Sequence, residues 1–151
     1  MPKASVKRLI ECEKNQLIDL VLDIEKYPEF VPFCLGSHVH KKSIEENQTL
    51  IIADLTIGKG PFKDTYKSEV KFNKEESIIN VTNIGGPLRH LANNWKFIES
   101  GNYTEIFFDI DFEIKNKFLN LVMSKSFQYG LNKIADAFQK RAKDLYQFKK
   151  K

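Results

Sequence analysis

The chain has 151 residues, 42% of them hydrophobic and 29% charged, with 24 basic and 20 acidic side chains giving a net charge of +4. Such a length is accounted for by one domain, and the apolar share excludes a disordered tail. No apolar run approaches the roughly 18–20 residues of a membrane span, and the mild charge is not the concentrated basic footprint of a DNA-binding domain, so no DNA partner is expected.

Residues 3–11 read as a strand. The start of the sequence, Met1-Pro2-Lys3-Ala4-Ser5-Val6-Lys7-Arg8, lacks an apolar signal core with a small-residue cleavage site, so the expected location is cytoplasmic. There the two cysteines, Cys12 and Cys34, are expected as free thiols. Leu17, Leu20, Val21 and Ile24 then recur at helical spacing, with Asn15, Gln16, Asp19 and Asp23 on the opposite side. Pro28 and Pro32 end that pattern, because proline has no amide proton and restricts the residue before it. Tyr27-Pro28-Glu29-Phe30-Val31-Pro32-Phe33 is therefore a bent, aromatic connector.

From about residue 35 to residue 114 the period is two. Strands are expected over 49–57, 62–72, 78–84 and 106–114. In the last, Ile106, Phe108, Ile110, Phe112 and Ile114 face one way and Asp109, Asp111 and Glu113 the other. One dry face and one wet face describe an antiparallel sheet covered on one side. The cover is the final segment, about residues 117–147, where Phe127, Leu131, Ile134, Phe138 and Leu145 share a helical face. Gly130 interrupts this pattern and marks a close approach or a bend. The order of elements gives an α+β domain over residues 1–151, the last three lysines forming a basic tail.

Four segments carry a family resemblance: Tyr27-Pro28-x-Phe30-x-Pro32-x-Cys34 with Gly36-Ser37; Gly86-Pro87-Leu88-Arg89-x-Leu91 leading into Trp95-Lys96-Phe97; Asp111 to Leu119; and Ala137-Phe138-x-x-Arg141-Ala142. In that order, over nearly the whole chain, they resemble the START-like (helix-grip, polyketide cyclase/dehydrase-type) superfamily. Within it they are most similar to the branch of the coenzyme Q-binding proteins and the ribosome association toxin. One departure is Ser68-Glu69-Val70, where that branch usually carries Ser-Arg-Val.

The resemblance implies a curved antiparallel sheet wrapped around a long C-terminal helix, with a cavity between them for a lipophilic molecule. The implied ligand is ubiquinone or a similar prenylated quinone, held without a covalent cofactor. The implied role is transport or chaperoning of that quinone in support of respiratory electron transport. Extraction of a long-tailed quinone requires transient contact with a membrane surface, so peripheral association with the inner membrane is expected. The rival reading is a toxin that binds the large ribosomal subunit and blocks subunit joining.

On the stripes and the resemblance together, Tyr27, Phe30, Val31 and Phe33 are expected at the entrance, and Pro87, Leu88 and Leu91 in a lid. Trp95, Phe108, Ile110 and Phe112 would form the sheet wall, and Phe127, Leu131, Ile134 and Phe138 the helix wall. Trp95, the sole tryptophan, also suits plain core filling. Cys34, His38 and His40 lack the paired spacings of a zinc site, so no metal is expected. Asp109, Asp111 and Glu113 belong to the wet face and not to an acid–base pair, and no nucleophile–base constellation stands out. The chain is therefore expected not to be an enzyme. Lys63, Lys67 and Lys71, interrupted by Glu69, read as a solvated strand face.

Overall fold

The computed structural model describes residues 3–59, 62–85, 88–115, 117, 121 and 127–147. Pro87 of the expected lid lies outside the described residues, and Leu88 and Phe127 are described in backbone alone.

Strand β1 (Lys3–Ile10) leads to helix α1 (Lys14–Leu22). Gln16 Oε1 accepts from the Glu13 amide at 3.0 Å, satisfying one of the donors a helix start leaves free. Leu17, Leu20 and Val21 are buried in α1 as the helical spacing predicts, Ile18 is buried beside them, and Ile24 of the expected stripe is buried in the turn that follows. A 3-10 turn (Ile24–Glu29) follows and contains Pro28. Then come β2 (Cys34–Ile44), β3 (Gln48–Lys59), β4 (Phe62–Asn73), β5 (Ile78–Gly85), β6 (Leu88–Ser100), β7 (Tyr103–Ile114) and helix α2 (Phe127–Ala142).

The seven strands form one sheet in the order β1-β7-β6-β5-β4-β3-β2, antiparallel throughout. Long hairpins build it, and β1 closes it by pairing with β7, Lys3 opposite Asp111 and Ile10 opposite Thr104. Register shifts at Cys34/Gly36 and Val39/Lys41 in β2, at Asn83/Gly85 in β5 opposite Lys67/Ser68, and at Leu88/His90 in β6 supply the extra residues that bend strands. The sheet is accordingly curved, and α2 lies along its inner side. Arg8 Nη1 of β1 donates to Asp136 Oδ1 of α2 at 2.6 Å, and Gln128 Nε2 donates to the Ser5 carbonyl at 3.1 Å.

Alternation puts Ile51, Val70, Ile79, Trp95, Phe97, Ile106 and Phe108 in one core with Leu131, Phe138 and Ala142 of α2. Register sets those neighbours: Ile51 stands opposite Val70, and Trp95 lies between Ile79 and Phe108. Each fully buried aliphatic or aromatic side chain removed from water contributes about 1.5–3 kcal/mol. The end of the chain departs from the helical reading. Beyond Ala142 the backbone passes into a π-helical turn (Lys143–Gln147), whose longer period turns Leu145 outward, 36% exposed, while Tyr146 packs on the core.

Candidate functional site

The connector Tyr27–Phe33 is seated on α2. Phe138 receives three aromatic neighbours edge-on: Tyr27 at 5.5 Å, Phe30 at 5.1 Å and Trp95 at 5.1 Å between ring centroids. Trp95 stacks on Phe108 at 4.0 Å, 10° from parallel. The Tyr27 hydroxyl donates to the Val21 carbonyl at the end of α1, which fixes the ring's depth. Phe33 takes a left-handed backbone, φ 68°, rare for a bulky residue. Its carbonyl accepts from the Gly58 amide at 2.9 Å, and its ring lies next to Gly130, where an added Cβ would meet Phe33 Cε2 at 3.7 Å. The connector is thus laid along α2 from Phe138 toward Gly130.

A salt bridge locks it there. Arg141 Nη2 of α2 donates to Glu29 Oε1 at 3.0 Å, and the same guanidinium sits 5.0 Å from the centre of the Phe30 ring. The hydrogen bond from Arg141 holds the Glu29 carboxyl below its ordinary range, with the Lys26 ammonium adding to the effect.

The inner face holds a second apolar cluster. Leu91 and Phe112 are buried side by side in register, with Tyr66, Val81 and Ile110 packed against them. Ile110 and Val81 also touch the main core. This cluster therefore continues the wall formed by Trp95 and Phe108. Of the residues expected to line a cavity, Trp95, Phe108, Leu131 and Phe138 belong to the main core, Ile134 and Ile110 lie at its margin, and Leu91 and Phe112 form the second cluster.

The electrostatics of this face are neutral. Among the described residues the buried polar side chains are Thr49, Ser68, Ser77, Asn93 and Thr104, none of them ionisable at ordinary pH. Desolvation pushes the Tyr66 and Tyr27 hydroxyls well above the ordinary phenol value, and pushes up the Cys34 thiol, so all three keep their protons. The carboxylates of β7 face outward. Asp109 Oδ1 accepts from Asn94 Nδ2 at 3.0 Å, and Asp111 Oδ2 lies 3.6 Å from His90 Nε2 and 4.0 Å from the Lys3 ammonium. Glu69 shares the outward face, 3.2 Å from Lys71 Nζ, where it cannot reach an occupant of the inner face. His38 and His40 meet edge-on at 4.7 Å, and His40 Nε2 lies 2.7 Å from Asp54 Oδ2. Among the described residues no group of three metal-binding side chains forms.

Two recesses lined by described residues bear on the site. One, about 470 Å³, lies at the β1–β7–β6 edge beside Lys3, Asp111 and Gln128. The other, about 710 Å³, separates α1 from the ends of the hairpins, over Ile18, Leu22, Ile44 and Phe72. Of the residues selected from sequence, Ile110 lines the first recess and none lines the second.

Sequence reasoning missed three participants: Tyr66, Asn93 and the Glu29–Arg141 pair. The alternation Leu91, Asn93, Trp95, Phe97 puts a polar residue in an inward register, a readable signal. The salt bridge spans 112 positions and left no trace in local pattern.

A model of the polyketide cyclase / dehydrase and lipid transport family matches residues 10–139. The ribosome association toxin RatA of Rickettsia prowazekii is 30% identical over 141 residues, covering 91% of this chain and 94% of that protein. The mitochondrial coenzyme Q-binding protein COQ10 of Dictyostelium discoideum is 33% identical over 135 residues, covering 87% of this chain and 64% of that protein. A START superfamily protein from Mycobacterium smegmatis has the same fold, with a TM-score of 0.78 at 18% identity, covering 95% of this chain and 98% of that one. These relatives bear the names of binding and toxin proteins, although the family's description includes cyclases. On a match spanning most of its length, and on the START-like arrangement of curved sheet and C-terminal helix, this chain belongs to the polyketide cyclase / dehydrase and lipid transport family.

Proposed function

We propose that this domain binds a hydrophobic, quinone-like lipid between the inner face of its sheet and α2, without catalysing its conversion, and carries it to or from a membrane. The observation that carries the reading is the Leu91–Phe112 cluster. It extends the aromatic wall of Trp95 and Phe108 beyond the Phe138 contact and has no buried ionised side chain among the described residues. A prenylated quinone such as ubiquinone suits that surface: a flat neutral ring for the aromatic wall and an apolar tail for the aliphatic one. Its removal from water would drive binding by about 25 cal/mol per Å² before ordering costs. The connector is the entrance, since Tyr27, Phe30 and Phe33 lie over α2 and one salt bridge pins them. Membrane contact through so small an aromatic patch is transient and peripheral.

Mass spectrometry of an organic extract of the purified protein tests this. The reading expects a prenylated quinone at close to one per chain, and an extract free of any lipid would overturn it.

The similarity to RatA supports a second reading, in which the domain binds the large ribosomal subunit. It expects co-sedimentation with subunits that weakens steeply as salt rises. Sedimentation without bound lipid would favour it over the carrier.

A further inference from the structure

We infer that the polar end of the guest is a hydroxylated aromatic ring, and that Asn93 accepts the hydrogen bond from its hydroxyl. The inference rests on the lipid-binding reading above and specifies the chemistry of the head it would hold.

Asn93 is 9% exposed, and its Oδ1 is buried without a hydrogen-bond partner among the described residues. It belongs to the inward row of β6, between Leu91 and Trp95 along the strand and opposite both Val81 and Ile110 across it. Folded proteins rarely leave a buried carbonyl unpaired, because the group has given up water and received nothing in exchange. An orphan acceptor within an apolar wall suits a site completed by a donor from outside the chain.

In the amide orientation of the structure Oδ1 is the orphaned atom and Nδ2 is not, and that orientation selects the ligand. An acceptor repels the carbonyl oxygen of an oxidised quinone, which also carries only lone pairs. The hydroxyl of the reduced form, or of any phenol, donates to it. Charged heads are disfavoured on the same ground as in the site description, since the buried polar groups described there are all neutral. Leu91, Phe112, Val81 and Ile110 around the amide present a surface for the ring and the first part of its tail.

Trp95 lies two positions along the strand and is the sole tryptophan, so its fluorescence reports on this wall. The test titrates the full chain with ubiquinone carrying two isoprene units, once oxidised and once chemically reduced under argon. Wild type should bind the reduced form roughly three- to tenfold more tightly, the ratio that one net hydrogen bond confers. Asn93→Leu should bind both forms alike, and Asn93→Ala, which withdraws the same carbonyl, serves where the leucine variant fails to fold. Equal affinities in wild type, a preference for the oxidised form, or a preference that survives both substitutions would overturn the assignment. In each of those results the lipid-binding reading still stands. If neither form binds, that reading fails, and the assignment to Asn93 fails with it.

Discussion

Arg141 on α2 and Glu29 in the connector meet at 3.0 Å, with the Arg141 guanidinium lying over Phe30, so one side chain ties the helix to the expected entrance by charge and by cation–π contact. Both partners are partly exposed, the Glu29 side chain by 51% and the Arg141 side chain by 26%. Such a pair sets local opening more than global stability. Because Arg141 lowers the Glu29 pKa in the folded state, the clamp is at full strength above the ordinary carboxylate value of 4.5 and is lost as pH falls through the depressed folded value. Glu29→Gln should speed amide hydrogen exchange over residues 24–33 at neutral pH with little change in melting temperature. The wild type should approach the variant's exchange pattern in acid. Unchanged exchange in the variant would remove the clamp from the account.

Phe138 is the point where α2, the connector and the sheet converge. Phe138→Ala should cost about 3–5 kcal/mol in urea unfolding, because Tyr27, Phe30 and Trp95 all lose a ring contact there. A loss below about 1 kcal/mol would mean that the three rings close over the vacancy. Leu131, 2% exposed in the same core, is a poor place for a charge: Leu131→Glu would bury an unpaired carboxylate and unfold the domain, which circular dichroism would read.

Gly130 has room for a side chain, since an added Cβ would touch Phe33 Cε2 at an ordinary 3.7 Å. Gly130→Ala should therefore stabilise the domain by about 0.5–1 kcal/mol through helix propensity and a less mobile unfolded chain. Urea denaturation reads the change directly. Destabilisation would show that Phe33 comes closer to the helix than the resting contact.

Tyr27 and Tyr66 are held well above the ordinary phenol value of 10.0, chiefly by desolvation. A group whose folded pKa is raised contributes stability that is whole below the unfolded value and declines as pH climbs above it, because the unfolded chain releases the proton first. Stability should therefore fall with pH above about 10, and the phenolate absorbance of these two residues should appear together with unfolding. Their ionisation in the folded protein near 10 would contradict the burial.

Much of the sheet was legible because its strands have one wet and one dry face: β4 and β7 carry the period over most of their length, so their facing residues follow directly, although β7 begins at Tyr103, three residues before the expected Ile106. The apolar stripe of α1 was legible for the same reason. Three features were not. The π-helical turn at Lys143–Gln147 changes the period in mid-pattern, so Leu145 fits the helical face in sequence and leaves it in space. The connector's seat depends on Phe33 adopting a left-handed backbone that no propensity favours. Arg141 and Glu29 are joined solely by the fold. Of the candidate site, the aromatic and aliphatic walls followed from alternation, whereas Asn93 was passed over because a polar residue in a dry row reads as an irregularity until its lack of a partner is seen.

The central claim is the position proposed for the guest, between the inner face of the sheet and α2. Titration of isotopically labelled protein with a short-chain quinone, followed by NMR chemical shifts, tests it directly. The account predicts saturable shifts at Leu91, Asn93, Ile110, Phe112 and Leu131, with Lys96, Asp109 and the groove beside Ile44 left unmoved. Shifts confined to the outward face or to that groove, with the inner row silent, would contradict it.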